Sequence, residues 1–250
     1  MNGDLTYLHH RPKFIACNDF IQFEKLNIIV CEQLIAIHEL PSSLKYLYAS
    51  RCKILQTMPK LSHLFNLENL KVTSSEQLVA ITELLSCLKL LLADRFKSLQ
   101  GIPKLSHLSQ LQVLSLAKSE QLVALPELPS TILELSSSLK HLNASTCKSL
   151  IPKLPHLSEQ KYLNVSYCEM LVAIPERSSS LKYLNASQCK NLQMMPQLSH
   201  LSELEYLNAS IYISLQTVPN LSHFSQLENL DLRYCKRLTE VQNNRLCLTI

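Results

Sequence analysis

Six of the nine cysteines occupy one recurring place: Cys31, Cys52, Cys147, Cys168, Cys189 and Cys235. Three of these follow at intervals of 21 residues, so a thiol ladder that binds metal or responds to redox state is geometrically conceivable. Ser75, Phe96, Ser119 and Tyr212 take the same place in other repeats, which argues against a required ligand. Small structural thiols that donate weakly where the chain turns out of a strand are the stronger reading. Histidines recur as well, at His63, His107, His156, His200 and His223. The first two are roughly 10 Å apart by strand spacing, too far to share a zinc ion. His200 and His223, on adjacent repeats, keep a weak metal possibility beside a structural role. Asn143, Asn164, Asn185, Asn208 and Asn220 each begin Asn-x-Ser, formally a glycosylation acceptor, but repetition accounts for them. No catalytic residue, metal ligand or cofactor is assigned.

These places recur because the whole chain does. The spacing Leu-x-x-Leu-x-(Leu/Ala/Val)-x-x-(Cys/other)-x-x-Leu begins at Phe23, Leu44, Leu67, Leu88, Leu111, Leu139, Gln160, Leu181, Leu204 and Leu227. A period of this length makes each repeat one coil of a solenoid, which buries its apolar edge only against a neighbour. Numbered from the first Leu, positions 3 to 8 are predicted to form a short strand, paired in parallel with the next coil. Positions 1, 4, 6, 12, 15 and 18 point inward, as in Leu44, Leu47, Ala49, Leu55, Met58 and Leu61. Pro at position 16 (Pro59, Pro103, Pro126, Pro175, Pro196, Pro219) disfavours a helical return, so the convex side is expected to be extended or 3₁₀-like. Residues 1–22 read as a degenerate cap, 23–242 as the array and 243–250 as a short tail. A seven-residue excess between Pro126 and Leu139 predicts a convex bulge, and Gln160 stands where a core Leu belongs.

Composition removes several function classes. Glycine occurs twice, at Gly3 and Gly101, so neither a dinucleotide-binding nor a P-loop glycine motif can be built. The net charge of +4 is mild and dispersed, which gives no support to nucleic-acid binding. No apolar run has the length of a membrane span, and no secretory signal is visible. Reduced thiols in a cytosol follow as the expectation.

The outward strand positions are the place for a partner. Position 3 carries Tyr46, His141, Tyr162, Tyr183 and Tyr206; position 5 carries Asn143, Asn164, Asn185, Asn208 and Asp231; Arg233 follows, and position 8 adds Tyr167 and Tyr234. Tyrosine brings large contact area with little rotamer freedom to lose. The competing reading is that Tyr and Asn merely replicate with the repeat. Leu90, Leu92 and Val113 form a second expected patch, aliphatic where other coils are polar.

The pattern Leu-x-x-Leu-Asn-x-Ser-x-Cys-x-x-Leu-x-x-x-Pro resembles the leucine-rich repeat over about residues 23–242. Its Cys-x-x-Leu-x-x-(Ile/Leu/Met)-Pro segments are similar to the repeats of plant intracellular immune receptors. Pro126-Glu-Leu-Pro129 and Glu39-Leu-Pro-Ser-Ser-Leu44 look like the Leu-Pro repeats of effectors that bacteria deliver into host cells. Cys17-Asn-Asp19 superficially resembles the nucleophile motif of a bacterial ubiquitin ligase, but there is no room for the catalytic domain. The resemblance implies a solenoid with a parallel strand face and a non-catalytic module that recognises a protein in the cytoplasm or a host cytosol. A thiol-based metal or redox protein and a self-assembling structural repeat are the alternatives; neither the partner nor the oligomeric state follows.

Overall fold

The computed structural model describes residues 12–16, 22–81, 83–98, 105, 107–119, 138–147, 157–193, 195, 197–215, 217–218 and 224–241. Ten of its strands form one parallel sheet: β2 (Lys25–Asn27), β4 (Tyr46–Tyr48), β5 (Asn69–Lys71), β6 (Leu90–Leu92), β7 (Val113–Ser115), β8 (His141–Asn143), β9 (Tyr162–Asn164), β10 (Tyr183–Asn185), β11 (Tyr206–Asn208) and β13 (Asn229–Asp231). Each pairs with the next in unbroken register, so position 3 faces position 3 along the whole sheet. On the return side β1 (Phe14–Ala16) pairs with β3 (Ala36–Glu39), and β12 (Thr217–Val218) with β14 (Glu240–Val241). A 3₁₀ turn covers Leu198–His200, and no α-helix occurs among the described residues. Among the described residues the return side is extended and 3₁₀-like, in keeping with Pro59 and Pro175. β1 lies inside the expected cap and stands one coil before β3 in the return row; the rest of that segment, the tail and the bulge before Leu139 lie outside the described residues apart from Pro12, Lys13, Gln22 and Ser138.

The inward assignment holds in detail. Leu44, Leu47, Ala49, Leu55 and Leu61 are buried, and Met58 is half-buried. Ala49, Ala93, Ala144, Ala186 and Ala209 are all buried at position 6, where larger side chains would overpack the coil. Position 9 joins this core in every coil but the first, where Cys31 is half-buried. The coil beginning at Gln160 carries polar groups in two core places. Gln160 is fully buried with no hydrogen-bond partner for its amide, at a cost of about 1–3 kcal/mol, and Arg177 is buried at position 18.

The strands are shorter than the sequence pattern predicts, covering positions 3–5 rather than 3–8. The reason lies at position 8. Val30, Arg51, Ser74, Arg95, Lys118, Thr146, Tyr167, Gln188, Ile211 and Tyr234 all have φ between 58° and 65°, the left-handed region. That twist ends the strand without ending the ladder. Position-6 amides still donate to the position-5 carbonyl of the next coil, as in Val165 to Asn185 at 2.8 Å. Position-8 amides donate to the next position-7 carbonyl, as in Tyr167 to Ser187 at 2.9 Å.

A left-handed residue with a Cβ costs roughly 1–2 kcal/mol, and a β-branched one is least suited to it. Val30→Gly is therefore expected to raise the urea unfolding midpoint, a net gain of about 1 kcal/mol after the entropy glycine loses on folding. A lower midpoint would show that position 8 is not strained.

Candidate partner-binding face

The outward side chains of the ten strands are the first and third residue of each, positions 3 and 5. The parallel register sets like residues side by side, and aromatic rings then meet face to face. His141 stacks on Tyr162 at 5.2 Å, Tyr162 on Tyr183 at 4.3 Å and Tyr183 on Tyr206 at 4.3 Å, the last pair only 6° from parallel. Stacked phenols shield one another. Burial, followed by its hydrogen bond to Asn185 acting in the opposite sense, leaves the Tyr183 hydroxyl pushed up to about 12.

The two expected patches are one. Leu90 pairs with Val113, Val113 with His141 and His141 with Tyr162, so an apolar and aromatic row crosses six neighbouring strands to Tyr206. Leu92 lies beside it at position 5, and Leu90, Leu92 and Val113 are half-buried. Tyr167 and Tyr234 sit apart from the row on the left-handed turn. Tyr234 is 73% exposed, and the Tyr167 hydroxyl accepts from the Gln188 amide.

The asparagine ladder has a structural duty. The Oδ1 atoms of Asn143, Asn164, Asn185 and Asn208 each accept the backbone N–H two residues on, at 3.0–3.2 Å. The hydroxyls of Ser166 and Ser187 add bonds of 2.9 and 2.8 Å to the same oxygens. This side-chain turn is the physical content of Asn-x-Ser. Asp231 does likewise for Arg233 and also holds its guanidinium, whose hydrogen bond keeps the carboxyl below its usual range. In two of the four coils without Asn or Asp at position 5, the preceding coil supplies the acceptor: Ser50 Oγ accepts from Thr73 N, and Asp94 Oδ1 from Ala117 N at 2.8 Å. What remains of each asparagine is its amide Nδ2, a donor; that of Asn208 turns to the Tyr206 hydroxyl at 3.5 Å and that of Asn185 to the Tyr183 hydroxyl.

The position-9 side chains bond downwards. Cys52, Cys147, Cys168, Cys189 and Cys235 donate to the position-6 carbonyl of the preceding coil at 3.0–3.2 Å, as Ser75 and Ser119 do through oxygen at 3.2 and 3.3 Å. Burial pushes Cys52 and Cys147 up to about 12 and Cys189 up to about 11, and raises Cys168 as well. A metal ligand or nucleophile requires the thiolate, the form this site disfavours. The return-side histidines are structural too. His63 and His107 reach the carbonyls of Leu40 and Leu84 on the coil before at 2.8 and 2.6 Å, and His200 contacts Gln197 Oε1. His156 and His223 lie outside the described residues, as does Cys17-Asn-Asp19.

A stacked array of short parallel strands with leucine spines and extended returns is the leucine-rich repeat fold. No protein-family model and no curated relative matches the chain. Among solved structures, the leucine-rich repeat domain of the type III effector XCV3220 (XopL) has a TM-score of 0.54 at 20% identity, over 85% of this chain and 74% of that one. The functional domain of InlJ from Listeria monocytogenes, said to include a cysteine ladder, gives 0.49 at 15% identity over 96% of this chain. The Leptospira interrogans leucine-rich repeat protein LIC12759 gives 0.49 at 22% identity, over 85% of this chain and 67% of that one. The chain spans 60% of the length of the InlJ structure.

Unfolded thiols ionise near 9.0, whereas the folded ones keep their protons up to about 11–12, so the native state binds more protons in between. Stability is full below the lower value and falls as pH rises through the upper ones. Replacing Cys147, Cys168 and Cys189 by Ser keeps a donor and removes the titration. Urea midpoints are expected to fall less steeply between pH of about 9 and 11 in that variant. Equal slopes would show that these thiols titrate normally.

Proposed function

We propose that the chain is a non-catalytic recognition module that seats a protein partner on its concave strand face. The observation that carries this reading is the unbroken row from Leu90 through Val113, His141, Tyr162 and Tyr183 to Tyr206. An apolar row that crosses six strands spans roughly 24 Å, the scale of a partner contact. Aromatic anchors held rigid before binding lose little entropy when a partner docks. Asn164 presents a donor beside the rings, Asn185 and Asn208 steady the Tyr183 and Tyr206 hydroxyls, and Asp231, Arg233 and Tyr234 lie at the carboxyl-terminal margin of the face. The fold is one widely used for binding proteins, and the bacterial-effector or immune-receptor setting and a cytosolic location belong to the proposal. Buried thiols that act as hydrogen-bond donors suit a compartment that keeps them reduced. The same thiols weigh against the metal or redox alternative.

Co-purification from cells that express the chain identifies the partner, and Y183A/Y206A tests the face. Truncating two central aromatic anchors is expected to weaken that partner at least about 10-fold. The urea midpoint should shift far less than on loss of a core leucine, because both rings stand outside the leucine spine. Unchanged affinity with the fold intact rejects this face.

A further inference from the structure

The charge on this face is unevenly placed. Of all the side chains at positions 3 and 5 of the ten strands, only Lys25, Lys71 and Asp231 are charged, and Asp231 is neutralised by Arg233. Lys25 and Lys71 converge on one ring: their ammonium groups lie 6.0 and 4.7 Å from the centre of Tyr48. Tyr46 adjoins that ring at 6.4 Å. Neighbouring cations on the strand margin are already paired, Lys45 with Glu24 and Lys89 with Glu68. Among the described residues neither Lys25 nor Lys71 has a carboxylate within ion-pair distance. Further along, Lys140 and Lys161 flank His141 and Tyr162 and also have no carboxylate partner among the described residues.

We propose that the partner segment seated on this face is an extended, acidic stretch of polypeptide. Its carboxylates lie between Lys25 and Lys71 over Tyr48, and its apolar side chains run along Leu90 to Tyr206. The proposal rests on the concave-face reading and gives the partner a chemistry. Two further features fit it. The free polar atoms of Asn143 and Asn164 are amide donors, which suit backbone carbonyls and carboxylates. The tyrosine rings spend their faces on each other and turn their electropositive edges and hydroxyls outward, which suits acceptors. That stacking occupies both ring faces of Tyr162 and Tyr183, which withdraws those two rings from a nucleobase. From Lys25 to Tyr206 the face spans nine strands, about 38 Å, the reach of an extended segment of roughly twelve residues.

The test uses a display library of random peptides of roughly twelve residues, panned on the immobilised full chain. Recovered peptides are synthesised with a fluorophore and titrated by anisotropy against the native chain, K25Q/K71Q and Y183A/Y206A. Expected are peptides with Asp or Glu clustered at one end and aliphatic or aromatic residues beyond. Their affinity falls about 10-fold in K25Q/K71Q, and falls for the native chain on raising salt from about 50 to 300 mM. Urea midpoints confirm that both variants fold. Peptides without acidic clusters, or binding unchanged in K25Q/K71Q while Y183A/Y206A abolishes it, overturn the acidic seat and leave the concave-face reading standing. Peptides indifferent to both variants, or no recovery at all, overturn both. Tighter binding of a single-stranded oligonucleotide than of any recovered peptide also rejects the proposal.

Discussion

The structure depends on a vertical hydrogen bond made where each strand ends. A residue in the left-handed conformation turns the chain out of the sheet and aims its amide at the coil above, while in seven of the coils a thiol or hydroxyl one residue later bonds the coil below. From Val30 to Ile211 these amide bonds measure 2.7–2.9 Å without interruption. They fix both the spacing and the register of the coils. A one-residue slip would turn the leucines outward, so register and core specify each other.

The working face is a consequence of that constraint. Because position 3 always faces position 3, identical tyrosines fall into cofacial stacks, and Leu90 and Val113 become the continuation of the aromatic row. The asparagines beside them are committed through Oδ1 to the turn. Specificity is left to the Nδ2 atoms of Asn143 and Asn164, to the phenol hydroxyls and to the few uncompensated lysines. One residue can thus be required by the fold and still meet a partner with its remaining atoms.

The period, the inward positions and the extended return were legible in the sequence, since each rests on spacing or on proline. Strand length was not. Glycine is the usual sign of a left-handed turn, and here Val30, Thr146 and Ile211 occupy it under the compulsion of coil-to-coil bonds. The unity of the binding row was hidden by the long interval between Val113 and His141, which separates in sequence what the sheet places side by side. The role of Asn-x-Ser was readable from local hydrogen-bonding rules, which make Asn followed two residues later by a backbone donor a turn. The lysine pair around Tyr48 had no signal, because it joins residues from three coils.

Native-state amide hydrogen exchange tests the vertical bonds most directly. The account predicts that the position-8 amides of Arg51, Ser74, Tyr167 and Gln188, exposed turn residues by their side chains or close to it, exchange as slowly as the strand amides Leu163 and Leu184. Exchange of those four at the rate of an open turn would contradict it, and with it the origin of the register that assembles the face.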